Sequence, residues 1–196
     1  MTILGVTGGI GSGKSIVCKY LSLHNIPIYD ADIEAKRLNN TSPVIRQELI
    51  IRFGKSIYIN NELDRKQLAS LIFNNKENLQ FVNQLIHTEL AKHFLNWIED
   101  NKRHSILALD AAVLFESGFD KYVDKIITVI APIDIRINRV SKRDNLSPQQ
   151  IEARINSQIS DEERSKLSDF VVVNDNYESI INQTNIIIKK ITQSAL

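Results

Sequence analysis

Short apolar runs alternate along the chain with longer stretches of helical periodicity. Near the N-terminus "TILGV" is short, β-branched and bounded by glycine, which predicts a buried strand. From Lys14 to about His24, the residues Val17, Tyr20, Leu21 and His24 recur at helical spacing. "IPIYD", residues 26–30, predicts a second short strand, and Pro27 places its start near an edge or an end. A long helical stretch follows, broken by "NNTSP", "FGKS" and "INNEL". Within it "LDRKQLASLIF" and "ENLQFVNQLIHTELAKHFLNWIED" carry apolar residues at i, i+3, i+4 and i+7, with no strand pattern of comparable quality between them. Strand signals return in "SILALD" (105–110) and "KIITVIA" (125–131). A polar, arginine-rich, helix-prone stretch covers 134–166, "FVVVN" adds one more strand, and "YESIINQTNIIIKKI" closes with a helix.

Short strands alternating with helices imply parallel pairing through right-handed crossovers. The predicted fold class is therefore α/β: a doubly wound, five-stranded parallel sheet built from about 1–32, 104–137 and 167–196. It carries two helical insertions, about 33–103 and 138–166. A chain of 196 residues suits a single domain with one core.

Composition narrows the partners. Lys+Arg 24 against Asp+Glu 23 leaves a net charge of +1, whereas a large polyanion such as duplex DNA calls for a more basic balance. Nucleic acid is thus a poor first guess, while a small phosphorylated ligand needs only a local positive cluster. Cys18 is the only cysteine, so no intrachain disulfide can form, and a buried, inert thiol is its expected state. The four histidines lack compact ligand spacing; His87 and His93 are six apart and do not stack on adjacent helical turns. No apolar stretch approaches the roughly 20 residues of a membrane span, and the N-terminus lacks the basic-then-apolar pattern of a signal peptide. The expected location is cytoplasmic, away from membranes.

The sharpest chemical signal is "GGIGSGKS", directly behind the first strand. Gly8, four residues, Gly13, Lys14 and Ser15 satisfy the phosphate-loop spacing G-x-x-x-x-G-K-S. Glycines let the backbone wrap so that successive N–H groups form an anion nest, to which the following helix adds its own unpaired donors. Lys14 can reach the β- and γ-phosphates, and the Ser15 hydroxyl can ligate Mg²⁺. Gly8, Gly9, Ile10, Gly11, Ser12, Gly13, Lys14, Ser15 and Ile16 are accordingly the candidate ATP-binding residues.

The loop fixes the ligand class but not the reaction. A guanine-specific switch would carry an N-K-x-D-like segment after a later strand, and neither "NDNY" nor "KRDN" fits. A ring motor would be longer. A kinase needs a base near the acceptor hydroxyl and cations closing over the phosphates. "YDAD" places Asp30 at a strand end and Asp32 in the first turn of the next helix; each is either a base candidate at the sheet's ligand crevice or a simple N-terminal helix stabiliser. Asp110 ends "ILALD" like a Walker B carboxylate that organises Mg²⁺, or else caps the segment that follows. Arg136, Arg139 and Arg143 keep spacing that shares one helical face, and Arg154 follows where Pro148 restarts the helix. Such arginines either neutralise a phosphoryl-transfer transition state or form a solvated face.

Together these segments resemble the dephospho-coenzyme A kinase family across essentially the whole chain. The resemblance is carried by "GVTGGIGSGKS", "DADIEAKRL", "LDRKQLASLIF", "LIHTEL", "LDAAVLFESG", "RVSKRDNLS", "ARINSQ" and "VVVNDN". It implies a P-loop kinase core, a coenzyme-A-binding helical subdomain at about 33–103 and a lid at about 138–166. It further implies Mg-ATP as phosphoryl donor and dephospho-coenzyme A as acceptor. Residue by residue, Asp32 matches the base toward the ribose 3′-hydroxyl, Lys14 holds the β/γ-phosphates, Arg139 and Arg143 are lid arginines, and Arg154 lies in the matching lid segment. Arg65 and His87 fall in recurring acceptor-side motifs. Ser15 meets Mg²⁺ with the nucleotide, and Asp32 or Asp110 reaches it through water; Asp110 and Arg154 are also candidate substrate-binding residues with Arg65 and His87. Three positions depart from the family pattern: Ile16 replaces a threonine behind the loop serine, Thr88 a proline after His87, and Ala112 the proline of D-x-P-L-L-F-E. The last two lie on the acceptor side. The expected assembly is a monomer or small homo-oligomer. The alternatives are another nucleoside or nucleotide kinase, or a nucleotide-dependent switch module.

Overall fold

The structure, a computed structural model, describes residues 1–193, so the last three residues of the expected core segment 167–196 lie outside the described residues. Strand β1 (Thr2–Gly8) leads into helix α1 (Lys14–Leu23), then β2 (Ile28–Asp30), α2 (Ala31–Thr41) and α3 (Pro43–Phe53). Strands β3 (Tyr58–Ile59) and β4 (Glu62–Leu63) precede α4 (Arg65–Phe73) and the long α5 (Lys76–Asp100). Next come β5 (Ile106–Asp110), β6 (Lys125–Ile130), α6 (Ile133–Asp144), α7 (Pro148–Asn156), α8 (Asp161–Lys166), β7 (Phe170–Val173) and α9 (Ile180–Gln193). These elements form two compact units: Met1–Asp30 with Asn101 onward, and Ala31–Asp100. Because α2 begins directly at Ala31, Asp32 belongs to the helical unit, and the 138–166 segment groups with the sheet.

In the first unit five strands pair in the order β2-β5-β1-β6-β7, all parallel. The expected doubly wound sheet is present, and β1 is its central strand. Its neighbours β5 and β6 follow β2 in the chain, so the order reverses beside β1, which makes the C-terminal end of β1 the topological switch point. Alternate residues of a strand face opposite sides. Leu4 and Val6 of β1, Ile106 and Ala108 of β5, Ile127 and Val129 of β6, and Val172 of β7 therefore share one face, covered by Val17, Cys18 and Leu21 of α1 and Ile187 and Ile191 of α9. Burial there pushes the Cys18 thiol up to about 12, so it stays protonated and unreactive. On the opposite face Leu114 and Val123 press so closely that a Cβ on Gly5 would lie 3.0 Å from Leu114 Cδ2. In the central strands β5, β1 and β6 both faces are buried, which is why they read as continuous apolar runs rather than alternating ones. Pro27 precedes the edge strand β2 and contributes only its carbonyl, which accepts the Ala108 N–H at 2.9 Å.

The helical unit buries Leu38 of α2, Ile45 and Leu49 of α3, Leu68 of α4, and Val82, Leu90, Phe94 and Ile98 of α5. One sequence break, "NNTSP", contains a helix start, and another, "INNEL", is followed directly by one. Ser42 accepts the Ile45 N–H ahead of Pro43, and Asp64 accepts the Lys66 and Gln67 N–H groups. The break "INNEL" differs from the expectation of helices alone: β3 and β4 form an antiparallel hairpin. Asn60 and Asn61 both hold positive φ at its turn (50° and 69°), as a two-residue type I′ connection requires. Asn40 Oδ1 accepts the Leu63 N–H at 2.9 Å, and the Arg46 guanidinium lies 4.4 Å over the Tyr58 ring, pinning the hairpin to its own unit.

The edge strand β7 provides a test of this packing. Val172 is 0% exposed among core residues, whereas Val171 is 39% exposed on the other face. Val172→Ala should lower stability by about 1–3 kcal/mol, from lost apolar burial plus a cavity, and Val171→Ala by under about 0.5 kcal/mol. Urea denaturation of the two variants measures both; equal losses would contradict the assigned faces of β7.

Candidate active site

The segment Gly8–Gly13 emerges from the central strand at the switch point and ends as the N-cap of α1. Gly13 sits at φ 95°, and with no side chain it makes no capping hydrogen bond. No capping side chain therefore competes with an anion at the start of α1, where Ile16 N–H turns back to Gly13 O at 2.9 Å and the helix dipole favours negative charge. Gly11 also holds positive φ (80°), and a Cβ there would lie 2.7 Å from the Arg136 carbonyl oxygen. At Gly13 a Cβ would collide with Asn174 Nδ2, which donates to Ser12 O at 2.6 Å. Within the loop, Ser12 N–H closes a turn onto Gly9 O at 3.0 Å. The result is a backbone cradle, tightly backed from outside.

Charge converges beside it. Asp110 ends β5 in register with Val6 and on the same strand face as Ala108, the face that α1 covers. Lys14, the first residue of α1, forms an ion pair there with Asp110, both side chains largely buried. The segment beyond Asp110 stays close to β1: Ala111 N–H donates to Val6 O at 3.1 Å. Ser15 and Ile16 are exposed on the first turn of α1.

The arginines expected on one face of α6 part company. Arg136 is buried; its Nε donates to Ile10 O at 2.9 Å and its Nη1 to Asp161 at 2.9 Å. Arg139 reaches Asn174 Oδ1 at 3.0 Å and Asn176 Oδ1 at 2.7 Å, with a longer contact to Ser12 O. Arg143 is exposed and forks onto the adjacent Asp144 at 2.8 and 2.9 Å. That hydrogen-bonded pairing holds the Asp144 carboxyl below its usual range, with further help from the charge of Arg154. Two of the three arginines therefore reach the loop, while Arg143 and Arg154 both bear on Asp144.

A second carboxylate cluster ties the chain behind the loop together. Asp161 accepts from Arg136 and, at 2.8 Å, from Arg164, which is 0% exposed. Glu116 of the "LFE" segment lies 3.9 Å from Arg164 and accepts the Ile159 N–H at 3.2 Å. Desolvation pulls the Arg164 pKa down, against the opposing charges of Asp161 and Glu116.

The remaining candidates lie in the helical unit. Asp32 is exposed in the first turn of α2, two residues beyond the last residue of β2. Arg65 is exposed as the first residue of α4, behind its cap Asp64. His87 is half-buried on α5, where desolvation lowers its pKa, so the imidazole is neutral at pH 7.

Residues 2–179 match the family model described as dephospho-CoA kinase. The chain belongs to the dephospho-CoA kinase family. The curated dephospho-CoA kinase of Bacteroides fragilis is 39% identical over 180 residues, covering 92% of this chain and 88% of that protein. A dephospho-CoA kinase structure from Campylobacter jejuni matches with TM-score 0.73 at 25% identity, covering 99% and 98% of the two chains. A crystal structure from Thermus thermophilus reaches 0.83 at 28% identity, with 96% of each chain covered. Membership bears out the kinase reading and the resemblance drawn from the sequence.

Within this member of the dephospho-CoA kinase family, sequence reasoning passed over Asn174, Gln158, Asp161, Arg164 and Glu116 as individual residues. Asn174 and Gln158 fall within the quoted segments "VVVNDN" and "ARINSQ", so the signal was present without a role attached to it. Asp161 separates two buried guanidinium groups. Asp161→Asn should therefore destabilise the protein by about 3–5 kcal/mol, the cost of leaving buried charge uncompensated. Arg164→Met should cost clearly less, because Asp161 keeps Arg136 and an apolar chain fills the volume. Denaturant midpoints of the two variants decide the order, and a costlier Arg164→Met would contradict this account of the cluster.

Proposed function

We propose that the chain transfers the γ-phosphoryl group of ATP to the ribose 3′-hydroxyl of dephospho-coenzyme A, giving ADP and coenzyme A. The observation that carries this reading is the backbone cradle of Gly8–Gly13, with Lys14 at its helical end, in a member of the dephospho-CoA kinase family. A Cβ at Gly11 or Gly13 would strike Arg136 or Asn174, which back the loop, so the wall of the cradle has to be bare backbone there.

In this reading the loop N–H groups and the dipole of α1 bind the phosphate chain, and Lys14 exchanges its Asp110 contact for phosphate oxygens. The exposed hydroxyl of Ser15 and the carboxylate of Asp110, with Asp32 a further candidate, are hard oxygen donors of the kind Mg²⁺ takes, partly through water. When bound, Mg²⁺ neutralises charge across the β- and γ-phosphates. Asp32 takes the 3′-hydroxyl proton as the new O–P bond forms and the bond to the β,γ-bridging oxygen breaks; ADP leaves with that electron pair. Arg139 stabilises the charge gathering on the leaving and transferring oxygens. Arg143 and Arg154, on the exposed part of 138–166, are lid residues that come over the ligand on closure. Arg65 and His87 serve the acceptor side from the helical unit.

Purified protein with Mg-ATP and a panel of hydroxyl acceptors tests the reaction. Mass analysis should show a gain of one phosphoryl group on dephospho-coenzyme A and little on ordinary nucleosides; turnover of nucleosides alone would overturn the proposal.

Asp32 carries its own test. Asn still accepts hydrogen bonds at a helix start, so Asp32→Asn should leave the fold and ATP binding intact. Loss of basicity should lower kcat by roughly 10²- to 10⁴-fold, with Asp30→Asn the milder control. A folded Asp32→Asn variant turning over near the parent rate would remove the base assignment and make Asp110 the next carboxylate to examine.

A further inference from the structure

One residue of the phosphate loop is held on both sides by side chains from far along the chain. Ile10 donates its N–H to Gln158 Oε1 at 2.9 Å, and its carbonyl accepts Arg136 Nε at 2.9 Å. Ile10 lies between Gly9 and Gly11, the residues least able to restrain the peptide planes on either side of it. Left alone, those planes could rotate. In a trans peptide the N–H and C=O point in opposite directions. Arg136, by holding the Ile10 carbonyl toward α6, therefore turns the Gly11 N–H away from α6. A flip of the same plane would swap that donor for a carbonyl oxygen, an acceptor repelled by phosphate.

Arg136 is itself fixed. It is buried, and its Nη1 donates to Asp161, which also binds the fully buried Arg164. Gln158 sits on the short connection between α7 and α8, which Glu116 anchors through the Ile159 N–H. With Arg136, Asn156, Ser160 and Asp161, Gln158 lines a cavity of about 310 Å³. The acceptor on Ile10 is a neutral carboxamide. A carboxylate at 158 could take the same N–H but would add a negative charge beside a site built for polyphosphate.

We propose that Gln158 is a positioning residue for phosphoryl transfer: by taking the Ile10 N–H it fixes the Gly9–Ile10 plane, which together with the hold of Arg136 on the next plane keeps the Gly11 N–H turned away from α6, and its neutrality keeps the loop attractive to phosphate. This inference rests on the reading of Gly8–Ser15 as the ATP loop. It assigns the "ARINSQ" segment a task at the nucleotide, distinct from covering the acceptor.

The test uses the full chain with Gln158→Leu, Gln158→Glu and the exposed α7 control Gln149→Leu. Three quantities are read: calorimetric affinity for Mg-ATP, KM for each substrate, and amide hydrogen exchange at Ile10 and Gly11 without nucleotide. Gln158→Leu should weaken Mg-ATP binding about 10-fold, the value of one lost hydrogen bond in a preorganised site. It should leave KM for dephospho-coenzyme A within about 2-fold and speed exchange at Ile10 at least about 10-fold. Gln158→Glu should restore slow exchange at Ile10 while still binding Mg-ATP more weakly than the parent, because hydrogen bond and charge are separated in that variant. Gln149→Leu should match the parent throughout. Unchanged Ile10 exchange in Gln158→Leu would overturn the lock, and an effect confined to KM for dephospho-coenzyme A would overturn the assignment to the nucleotide. A parent chain that fails to bind Mg-ATP would instead sink the ATP reading itself, whereas a parent that binds and a Gln158→Leu variant that binds equally would sink this inference alone.

Discussion

A phosphate nest has to be made of bare backbone and still hold its shape, and these demands conflict. Glycine permits the approach and the positive φ values at Gly11 and Gly13, but it supplies nothing to fix them. The protein resolves the conflict from outside the loop. Asn174, at the end of β7, donates to Ser12 O, and Arg136 of α6 donates to Ile10 O. Both come from elements that follow β6 in the chain. The parallel order β2-β5-β1-β6-β7 delivers them to the C-terminal end of β1, because parallel strands bring all their carboxyl ends to one edge. The shape of the loop is thus a property of the sheet, not of the motif residues alone.

The buried arginines follow from the same constraint. Packing a guanidinium against the loop takes it out of water, which is costly unless a carboxylate goes with it. Asp161 answers Arg136, and its second oxygen answers Arg164, which Glu116 also approaches. Replacing such a cluster by apolar residues would often be neutral or stabilising. Its value here lies in direction: a planar guanidinium presents donors at fixed angles, so one side chain can hold a loop carbonyl and a carboxylate at once. An apolar residue would fill the space without orienting any peptide.

These contacts separate what the sequence made legible from what it did not. The central strands β5, β1 and β6 were readable because burial on both faces makes each a continuous apolar run, and the loop because its spacing is dictated by local backbone geometry. The β3–β4 hairpin was hidden, since two-residue strands carry no period to detect; only the paired asparagines of "INNEL" marked the turn. Arg136, Arg139 and Arg143 looked equivalent because i, i+3 and i+7 spacing places them on one face. What distinguishes them is tertiary: Arg136 meets a carbonyl 126 residues away, whereas Arg143 finds its own neighbour Asp144. The boundary at residue 30 was displaced by two residues for a related reason. Helix α2 starts without any intervening loop after β2, so Asp32 counts with the helices, although the chain joins it directly to a strand of the sheet unit.

The net charge of +1 says little about the field at the site, because it is the pairing of each cation that counts. Lys14 shares its charge with Asp110, Arg136 with Asp161, and Arg143 with Asp144. Arg139 differs from these three: its partners near the loop are the carbonyls of Ser12 and Asn174 and the side-chain amides of Asn174 and Asn176. Neutral acceptors satisfy its N–H groups and fix its fork without cancelling its charge. The orientation of a guanidinium and the neutralisation of its charge are separate matters, and here asparagines achieve the first while avoiding the second. A cation held rigid by dipoles beside an anion nest keeps its full attraction for a phosphate, and it needs no reorganisation as charge develops there. The two asparagines of "VVVNDN" are therefore part of the electrostatics of the loop, even though neither carries a charge.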